Sequence, residues 1–421
     1  MSRSEAWPRV SVADVCSSIV DCVNKTAPVV DGPTPYKMIR TTNVRDGWVN
    51  LEEVRYVDEP TYAKWTRRQQ PKRGDVILTR EAPLGEVGLL RSDDAVFLGQ
   101  RLVAYRADPT KLDGGFLLYS MLSDDMQGQI RSMGSGATVE HMRVPDCEKL
   151  TLQLPSLPVQ RRIASILSTY DDLIENNTRR IAILEEMARR LYEEWFVRFR
   201  LPGHDNVRMV DSELGLVPEG WDLTTLGAAC AYINRGLAPK YDDSASGIVI
   251  NQKCIRDQRL SLSEARRQSK PVPKEKLVMV GDVLINSTGV GTLGRVAQVM
   301  ESLESCTVDT HVSIVRPSSN IDCDFFGLAM LSKQPHFEAQ GVGSTGQTEL
   351  SRARISDTAI LLPPNPLQDR FGKLVKPMRQ LAVRLQAKNG NLRTTRDLLL
   401  PKLISGELDV SAMPEPEAAA A

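Results

Sequence analysis

The chain of 421 residues is too long for one typical hydrophobic core and suits two domains with connecting segments. Its 53 basic residues balance 53 acidic ones, so no bulk positive charge signals a nucleic-acid partner, which weighs mildly against DNA binding. Seven cysteines without a CxxC motif and four scattered histidines argue against a disulfide framework or a metal site. No apolar run approaches the roughly 20 residues of a membrane span. We therefore expect a cytoplasmic protein without a membrane partner.

Short β-like runs, cut by Gly, Pro and Asp, open the chain. They begin at Val54 (VRYV), Asp75 (DVILT), Ala95 (AVFL) and Leu102 (LVAYR). The GDV at Gly74 indicates a turn that leads into a strand, because Gly takes the positive φ and Asp supplies the turn hydrogen bond. Together these runs predict a small mixed α/β domain over residues 1–155.

A long amphipathic helix is predicted next, over residues 156–200. Its apolar residues recur every three or four positions, at Ile163, Ile166, Tyr170, Leu173, Leu184, Met187 and Leu191. Asn177 falls in this apolar seam. A polar residue in such a seam more often fixes the register of helix pairing than carries chemistry.

A connector and a second domain follow the helix. The segment LPGHDNVRMVDSELGLVPEGW, from Leu201, is punctuated by Pro and Gly and predicts a connector over residues 201–220. The strand-like runs IVI, LVMV, DVLIN and HVSIVR then predict a second mixed domain over residues 221–362.

A second long helix is predicted over residues 363–408. Its apolar stripe consists of Phe371, Leu374, Met378, Leu381, Leu385, Leu392 and Leu399. Lys388 and Thr395 interrupt the stripe, Pro377 should bend the helix or delay its regular start, and Gly406 offers a C-terminal stop. We expect residues 409–421, which end in PEPEAAAA, to be disordered.

The two halves of the chain repeat each other. GDVILTREAPLGEVG from Gly74 returns as GDVLINSTGVGTLGRV from Gly281, and LPSLPVQRRIASIL from Leu154 returns as LLPPNPLQDRFGKLV from Leu361. Because the period is near 210 residues, far longer than that of a solenoid, the repeat predicts two whole domains, each followed by its own helix.

The repeat predicts an α+β fold with a pseudo-two-fold axis. Two similar mixed α/β domains would be separated by two long helices whose narrow apolar stripes pair with each other. A two-fold axis perpendicular to the helices would make the pair an antiparallel coiled coil. Since a helix of 40 residues spans roughly 60 Å, such a pair would act as a ruler.

The sequence offers no convincing catalytic site. Gly289, Gly291 and Gly294 spell GxGxxG, but a nucleotide-binding loop needs a helix directly after the glycines, whereas RVAQVM is typical of a strand. We therefore interpret this segment as strand, turn and strand. No Walker loop, nuclease motif or Ser-His-Asp set is evident, so we expect a chain without catalytic residues, cofactor or metal.

These motifs resemble those of the specificity subunits of type I restriction-modification enzymes. The resemblance covers nearly the whole chain and is carried by LPxxxxQ before each helix, by ARRLYEEWFVRF from Ala188, and by RDLLLPKLISGEL from Arg396. One departure is that Val159 and Leu367 precede the Gln of the two helix-start motifs, where that family usually has an acidic residue.

The resemblance implies a division of labour. Each globular unit would be a target recognition domain that reads one half of a bipartite, asymmetric site in double-stranded DNA. The helices would set the half-site spacing and dock two methyltransferase subunits, and restriction and translocase subunits would complete the complex. S-adenosylmethionine would bind to the methyltransferase subunits, with no cofactor in this chain.

For the DNA-facing surface, we expect polar side chains in the loops next to the strands. Arg can pair bidentately with guanine, Asn with adenine, and Glu can accept from cytosine in the major groove. The candidates are Arg40, Thr41, Thr42, Asn43, Arg80, Glu81 and Arg101 in the first unit, and Asn251, Lys253, Ser287, Thr288, Thr310 and His311 in the second. Two basic clusters, from Arg67 to Arg73 and from Arg266 to Lys274, could meet phosphates or be solvated turns.

Two other classes of function remain open from the sequence. The chain could be an enzyme, either a fragment of a fused restriction-modification polypeptide or a methyltransferase with diverged motifs, and binding of S-adenosylmethionine by the isolated chain would identify it. It could also be a scaffold whose duplicated domains bind only proteins. Loss of sequence preference when the chain is removed from its complex would exclude a scaffold.

Overall fold

The structure, a computed structural model, describes residues 7–136, 140–203, 207–213, 215–340 and 349–414. The chain forms two compact units. Unit 1 comprises Met1–Asn176 and Asn389–Ala421, and unit 2 comprises Asn177–Lys388. Each unit mixes strands and helices, as the sequence predicts. Within the described part of the chain, no helix is both long and apolar enough to cross a membrane.

Unit 1 is built on a six-stranded sheet. The strands are β1 Arg9–Ser11, β2 Cys16–Asp21, β3 Tyr36–Ile39, β4 Val44–Arg45, β5 Gly47–Val49, β6 Arg55–Tyr56, β7 Val76–Arg80, β8 Leu84–Leu89, β9 Ala95–Leu98, β10 Leu102–Ala107 and β11 Thr151–Gln153. The short helices are α1 Val12–Val15, α2 Glu59–Trp65, α3 Gly114–Leu122, α4 Asp124–Met133 and α5 Val144–Cys147. The main sheet has the order β2-β10-β7-β8-β5-β4, a smaller sheet has the order β6-β3-β9, and β1 pairs with β11.

The core of unit 1 lies on the central strands of the main sheet. Val76 and Leu78 of β7 are fully buried, as are Phe116 and Leu117 of α3, which belong to the same apolar cluster. A central strand covered on both faces requires a nearly continuous apolar run, and DVILT supplies one. Helix α3 begins where the Asp113 carboxylate accepts a hydrogen bond from the Phe116 N–H at 2.9 Å.

Unit 2 repeats this arrangement with its own strands. They are β12 Met209–Ser212, β13 Gly215–Pro218, β14 Asp222–Thr225, β15 Cys230–Arg235, β16 Gly247–Ile250, β17 Ile255–Arg256, β18 Arg259–Leu260, β19 Arg266–Gln268, β20 Val283–Asn286, β21 Val296–Gln298, β22 Cys306–Val308, β23 Val312–Pro317 and β24 Ala359–Leu362. Its main sheet has the order β15-β23-β20-β21, and β19-β16-β22, β17-β18, β14-β24 and β12-β13 form smaller sheets.

The helices complete both units. After the first long helix, α6 Leu157–Tyr192, come α7 Leu226–Ala229, α8 Cys323–Ser332, α9 Gln334–Ala339, α10 Arg352–Ser356 and the second long helix, α11 Asn365–Ile404. Helix α6 continues into a π-helical turn over Glu193–Val197. Both predicted long helices are therefore present. The first half of α6, up to Asn176, and the end of α11, from Asn389, belong to unit 1, and the rest of each helix belongs to unit 2.

The long helices run antiparallel within each unit. In unit 1, Arg396 donates to the Asp171 carboxylate at 2.6 Å, and the Asn389 side chain donates to the Ile174 carbonyl at 3.2 Å, so residue numbers rise along one helix as they fall along the other. In unit 2, Ile181 packs with Leu385, and the Trp195 and Phe371 ring centroids are 5.7 Å apart. The predicted antiparallel pairing is confirmed in both units.

The sequence predicts that Asn177 lies in the apolar seam of the helices, and it is buried there, with 4% of its surface exposed. The sequence interpretation overlooked Asn389, which is 2% exposed and provides the hydrogen bond to Ile174. Besides the predicted Asn177, the helix pair therefore buries Asn389 and also Asp171, which is 2% exposed and pairs with Arg396.

The GDV motifs make the same turn in both units. Gly74 has φ of +91° and Gly281 has φ of +94°. Asp75 accepts from the Lys72 N–H, and Asp282 from the Met279 N–H, each at 2.8 Å. The predicted roles of Gly and Asp are thus confirmed.

The Asp carboxylate of each GDV motif also accepts hydrogen bonds from an arginine, a pairing that the sequence interpretation did not predict. Arg106 donates to Asp75 at 2.7 Å, and Arg316 donates to Asp282 at 2.7 Å. Both carboxylates are almost completely buried, and these hydrogen bonds raise the pKa of each arginine further above its usual value. The partners come from β10 and β23, the strands that pair with β7 and β20.

The helix-start motifs are fixed by their glutamines. Gln160 is fully buried, accepts from the Asp113 N–H at 2.9 Å, and donates to the Pro155 and Lys111 carbonyls at 2.8 and 3.0 Å. Gln368 repeats this by accepting from the Asp322 N–H at 3.0 Å and donating to the Pro363 carbonyl at 2.8 Å. The glutamine of LPxxxxQ therefore ties the start of each long helix to the globular part of its unit, although no acidic residue precedes it.

Two local predictions from the sequence are wrong, and a third is narrowed. The run LVMV is not a strand: only Leu277 makes a β-bridge, with Thr307, because the Met279 N–H already belongs to the turn at Asp282. Helix α11 begins at Asn365, so of the two effects expected of Pro377 the delayed start does not occur, and a bend of the helix stays a prediction. The disordered tail cannot begin at 409, because Val410 is 3% exposed and packs in the core of unit 1.

Two other local predictions are confirmed. Helix α11 ends at Ile404, and Gly406 takes the left-handed φ of +75° that a helix stop requires. The GxGxxG segment forms a turn followed by strand β21, not a helix, as expected from RVAQVM. Residues 415–421 of the predicted tail lie outside the described residues.

Candidate nucleic-acid interface

Three loops of unit 1 meet where β3, β7 and β9 end. Strands β3 and β9 are parallel neighbours, and the Gly99 N–H donates to the Ile39 carbonyl at 2.7 Å. The Arg80 N–H donates to the Arg101 carbonyl at 2.8 Å. These two bonds bring together the segments that follow the three strands, so the predicted candidates between residues 40 and 101 share one edge of unit 1.

Unit 2 makes the same bonds at the matching positions. The Asp309 N–H donates to the Ile250 carbonyl at 2.9 Å, and the Ser287 N–H donates to the His311 carbonyl at 2.8 Å. The loops after β16, β20 and β22 therefore converge as the loops after β3, β7 and β9 do. We call each set of converging loops the loop edge of its unit.

A further segment joins each loop edge. The Met142 N–H donates to the Arg80 carbonyl, and the Leu350 N–H donates to the Ser287 carbonyl, both at 2.9 Å. These segments bring in His141 and Glu349, which form β-bridges with Glu81 and Thr288. The sequence interpretation missed both, although each follows a pair of short helices in its half of the repeat.

The exposed chemistry of the first loop edge centres on an ion pair. An Arg101 Nη atom lies 3.4 Å from a Glu81 carboxylate oxygen, and the Arg101 side chain is half exposed. Arg101 has φ of +71°, an uncommon backbone conformation for a non-glycine residue. Together the two side chains present a bidentate donor and an acceptor side by side, and Thr42 is exposed in the segment that follows β3.

Several predicted candidates in unit 1 serve the loop itself. Asn43 is 4% exposed, accepts from the Arg40 N–H at 2.9 Å and donates to the Glu53 carbonyl at 3.1 Å, so its side chain holds the loop together in this structure. Arg40 also donates to the Glu53 carbonyl, and Arg80 donates to the Met142 carbonyl at 2.9 Å. Both arginines are half-buried, as is Thr41.

The second loop edge carries a different exposed pair. The Thr288 hydroxyl and His311 Nδ1 are 2.6 Å apart, and His311 and Thr310 are exposed. The His311 N–H donates to the Asp309 carboxylate at 2.8 Å. Burial raises the pKa of Asp309 above its usual value, with the His311 N–H partly opposing that shift.

Two predicted candidates in unit 2 are structural. Ser287 directly follows β20 and is fully buried, and its hydroxyl is 2.6 Å from that of Ser313, so its side chain serves the packing of the sheet in this structure. Asn251 accepts from the Lys253 N–H at 2.8 Å and donates to the Glu264 carbonyl at 2.5 Å. The Lys253 side chain itself is exposed.

Comparison with known proteins agrees with this architecture. Residues 27–186 match the family model described as the type I restriction modification DNA specificity domain. The specificity subunit of type I restriction enzyme MjaIX from Methanocaldococcus jannaschii is 25% identical over 369 residues, which are 85% of this chain and 83% of that protein. The HindI specificity subunit from Haemophilus influenzae is 23% identical over 412 residues, covering 80% of this chain and 87% of the relative.

A solved structure shares the fold. The crystal structure of the type I restriction-modification system S subunit from M. genitalium superposes with a TM-score of 0.62 at 16% sequence identity. The superposition covers 96% of this chain and 98% of that one.

Proposed function

We propose that this chain, which belongs to the family of type I restriction-modification specificity subunits, selects the DNA sequence on which partner subunits act. Each unit would read one half of a bipartite, asymmetric site in double-stranded DNA. The observation that carries this proposal is the loop edge, which recurs in both units with the same backbone hydrogen bonds but with different exposed side chains. One framework thus presents two different sets of donors and acceptors.

The exposed pairs have the chemistry that base reading needs. Arg101 can donate two hydrogen bonds to guanine, and Glu81 can accept from the cytosine amino group. Thr288 and His311 offer a hydroxyl and an imidazole instead. Phosphate contacts position a protein on DNA, whereas such base-edge contacts specify the sequence.

The long helices would set the spacing of the two half-sites and dock two methyltransferase subunits. Their antiparallel pairing within each unit supports this role. Restriction and translocase subunits would join the same complex in the cytoplasm. S-adenosylmethionine and the chemistry of methyl transfer would belong to the methyltransferase subunits, and this chain would act without a cofactor of its own.

The proposal is tested by mapping methylated bases in the source organism with and without this gene. We expect a split motif, two short defined sequences separated by an unspecified gap, that disappears when the gene is deleted. Unchanged methylation in the deletion strain would refute the proposal. Methyl transfer by the purified chain, free of partner subunits, would instead support the enzyme alternative.

A further inference from the structure

A patch of exposed cations lies on the edge strand β19 of unit 2. It consists of Arg266 and Arg267 on the strand and of Lys270, two residues beyond its end, all of which are exposed. The Arg266 guanidinium lies 3.5 Å from the centroid of the Tyr241 ring, and Tyr241 is itself 45% exposed. Stacking on an aromatic face holds the guanidinium in one plane while its N–H groups still point outward at the ring edge. We call these three residues with Tyr241 the β19 patch.

The charges of the β19 patch are not neutralised. Arg267 donates to the Ala245 carbonyl at 2.8 Å and Lys270 to the Ala238 carbonyl at 3.0 Å, bonds that fix the side chains without cancelling their charge. In the part of the chain that the structure describes, none of the three cations forms an ion pair.

The nearby acidic residues leave an excess of positive charge. Asp242 and Asp243 follow Tyr241, and the Asp242 carboxylate accepts from both the N–H and the hydroxyl of Ser244. Lys240 precedes Tyr241, so the segment adds one cation and two carboxylates to the three cations of the β19 patch. The patch therefore keeps a local positive field.

The matching basic cluster of unit 1 differs. Arg68 pairs with Asp21, and Arg73 donates to Asp93 at 2.9 Å. The two clusters look alike in the sequence, but Arg68 and Arg73 of unit 1 are ion-paired, while Arg67 and Lys72 form no ion pair among the described residues. The β19 patch differs in that none of its three cations is ion-paired there and one of them stacks on an aromatic ring.

The β19 patch adjoins the second loop edge. Strand β19 pairs with β16 so that Arg266 lies opposite Val249, and β16 ends at Ile250 in the loop edge. The Asn251 side chain also donates to the Glu264 carbonyl, two residues before Arg266. In the sheet order β19-β16-β22, β19 and the strand that precedes Thr310 and His311 flank the same central strand.

We propose that the β19 patch binds the phosphate backbone of the DNA beside the half-site read by unit 2, with Arg266 as the principal contact. This inference rests on the proposed function. A guanidinium fork donates two parallel hydrogen bonds to a phosphate, and its stacking on Tyr241 fixes the fork before DNA arrives. Such a contact adds affinity for any duplex and does not read bases.

The test uses the full-length chain assembled with its methyltransferase subunits and two fluorescent duplexes, one with the mapped methylation motif and one with a scrambled motif. Binding is measured by anisotropy at several salt concentrations. Arg266→Ala should weaken binding to both duplexes by the same factor and reduce the slope of log K against log salt by about 0.9, the value expected for one lost phosphate contact. Tyr241→Leu should weaken binding less, because the charge remains.

Arg73→Ala in unit 1 is the matched control, since its charge is already paired with Asp93. We expect it to leave the salt slope unchanged, and thermal melting should show that every variant is folded. An unchanged slope for Arg266→Ala, or a loss confined to the motif duplex, would overturn the phosphate assignment. If the wild-type complex binds both duplexes equally, the proposed function fails instead.

Discussion

Replacing Gln160 with leucine should loosen the attachment of the first long helix to unit 1. The buried side chain satisfies three backbone groups, the Asp113 N–H and the Pro155 and Lys111 carbonyls. A buried backbone group left without a partner costs about 1–3 kcal/mol, so three groups with partial rearrangement should cost about 3 kcal/mol. That cost corresponds to roughly a hundredfold shift in the local opening equilibrium.

Hydrogen exchange read by mass spectrometry suits this measurement, because it reports on the two units separately. In Gln160→Leu, we expect protection of α3, which Asp113 caps, to fall about a hundredfold, with little change in unit 2. Gln368→Leu should move the loss to α8, which begins after Asp322. Gln70→Leu, at an exposed position, is the control. Unchanged protection in Gln160→Leu would show that the glutamine does not hold the helix start.

Three further predictions follow from the loop edges. Arg101→Gln should change the methylated motif only in the half read by unit 1, with a penalty of about 1–3 kcal/mol for the original base, and an unaltered motif in a methylation map would exclude Arg101 as a reader. Exchanging residues 1–152 for the matching segment of a relative should alter one half-site, whereas a map with both halves altered would contradict independent readers. Because the pKa of Asp309 is raised in the folded state, protonation of this carboxyl stabilises the fold. The stabilisation is complete below the unfolded pKa near 3.9 and is lost as pH rises through the folded pKa, so the melting temperature should fall over that range. Asp309→Asn should flatten this fall, and an unchanged dependence of melting temperature on pH would argue against the assignment.

The sequence predicts the repeating features of this fold well, because they depend on periodic patterns. The spacing of apolar residues identifies α6 and α11, and the repeat itself implies that each helix follows a globular domain. The turn at each GDV also follows from local chemistry, since Gly74 and Gly281 need only their own backbone conformation and the adjacent Asp.

The individual side chains of the loop edge are predicted less well. Asn43 and Ser287 are polar residues beside strand ends, which favours exposure, yet tertiary hydrogen bonds to Glu53 and Ser313 bury them. His141 and Glu349 come from segments distant in sequence, and only the backbone bonds to Arg80 and Ser287 bring those segments to the loop edge. Such partners cannot be predicted from the residues next to a position in the sequence.

In both loop edges the backbone holds the loops together, and the side chains supply the exposed chemistry. The bonds that join the loops are made by backbone groups in both units, so they place few demands on the side chains beside them. Glu81 and Arg101 form an ion pair at positions where unit 2 has Thr288 and His311, which are joined by a hydrogen bond between a hydroxyl and an imidazole. Because the backbone carries the geometry, the exposed side chains can differ without altering it. Two repeats of one framework can therefore present different exposed groups, as the proposed reading of an asymmetric bipartite site requires.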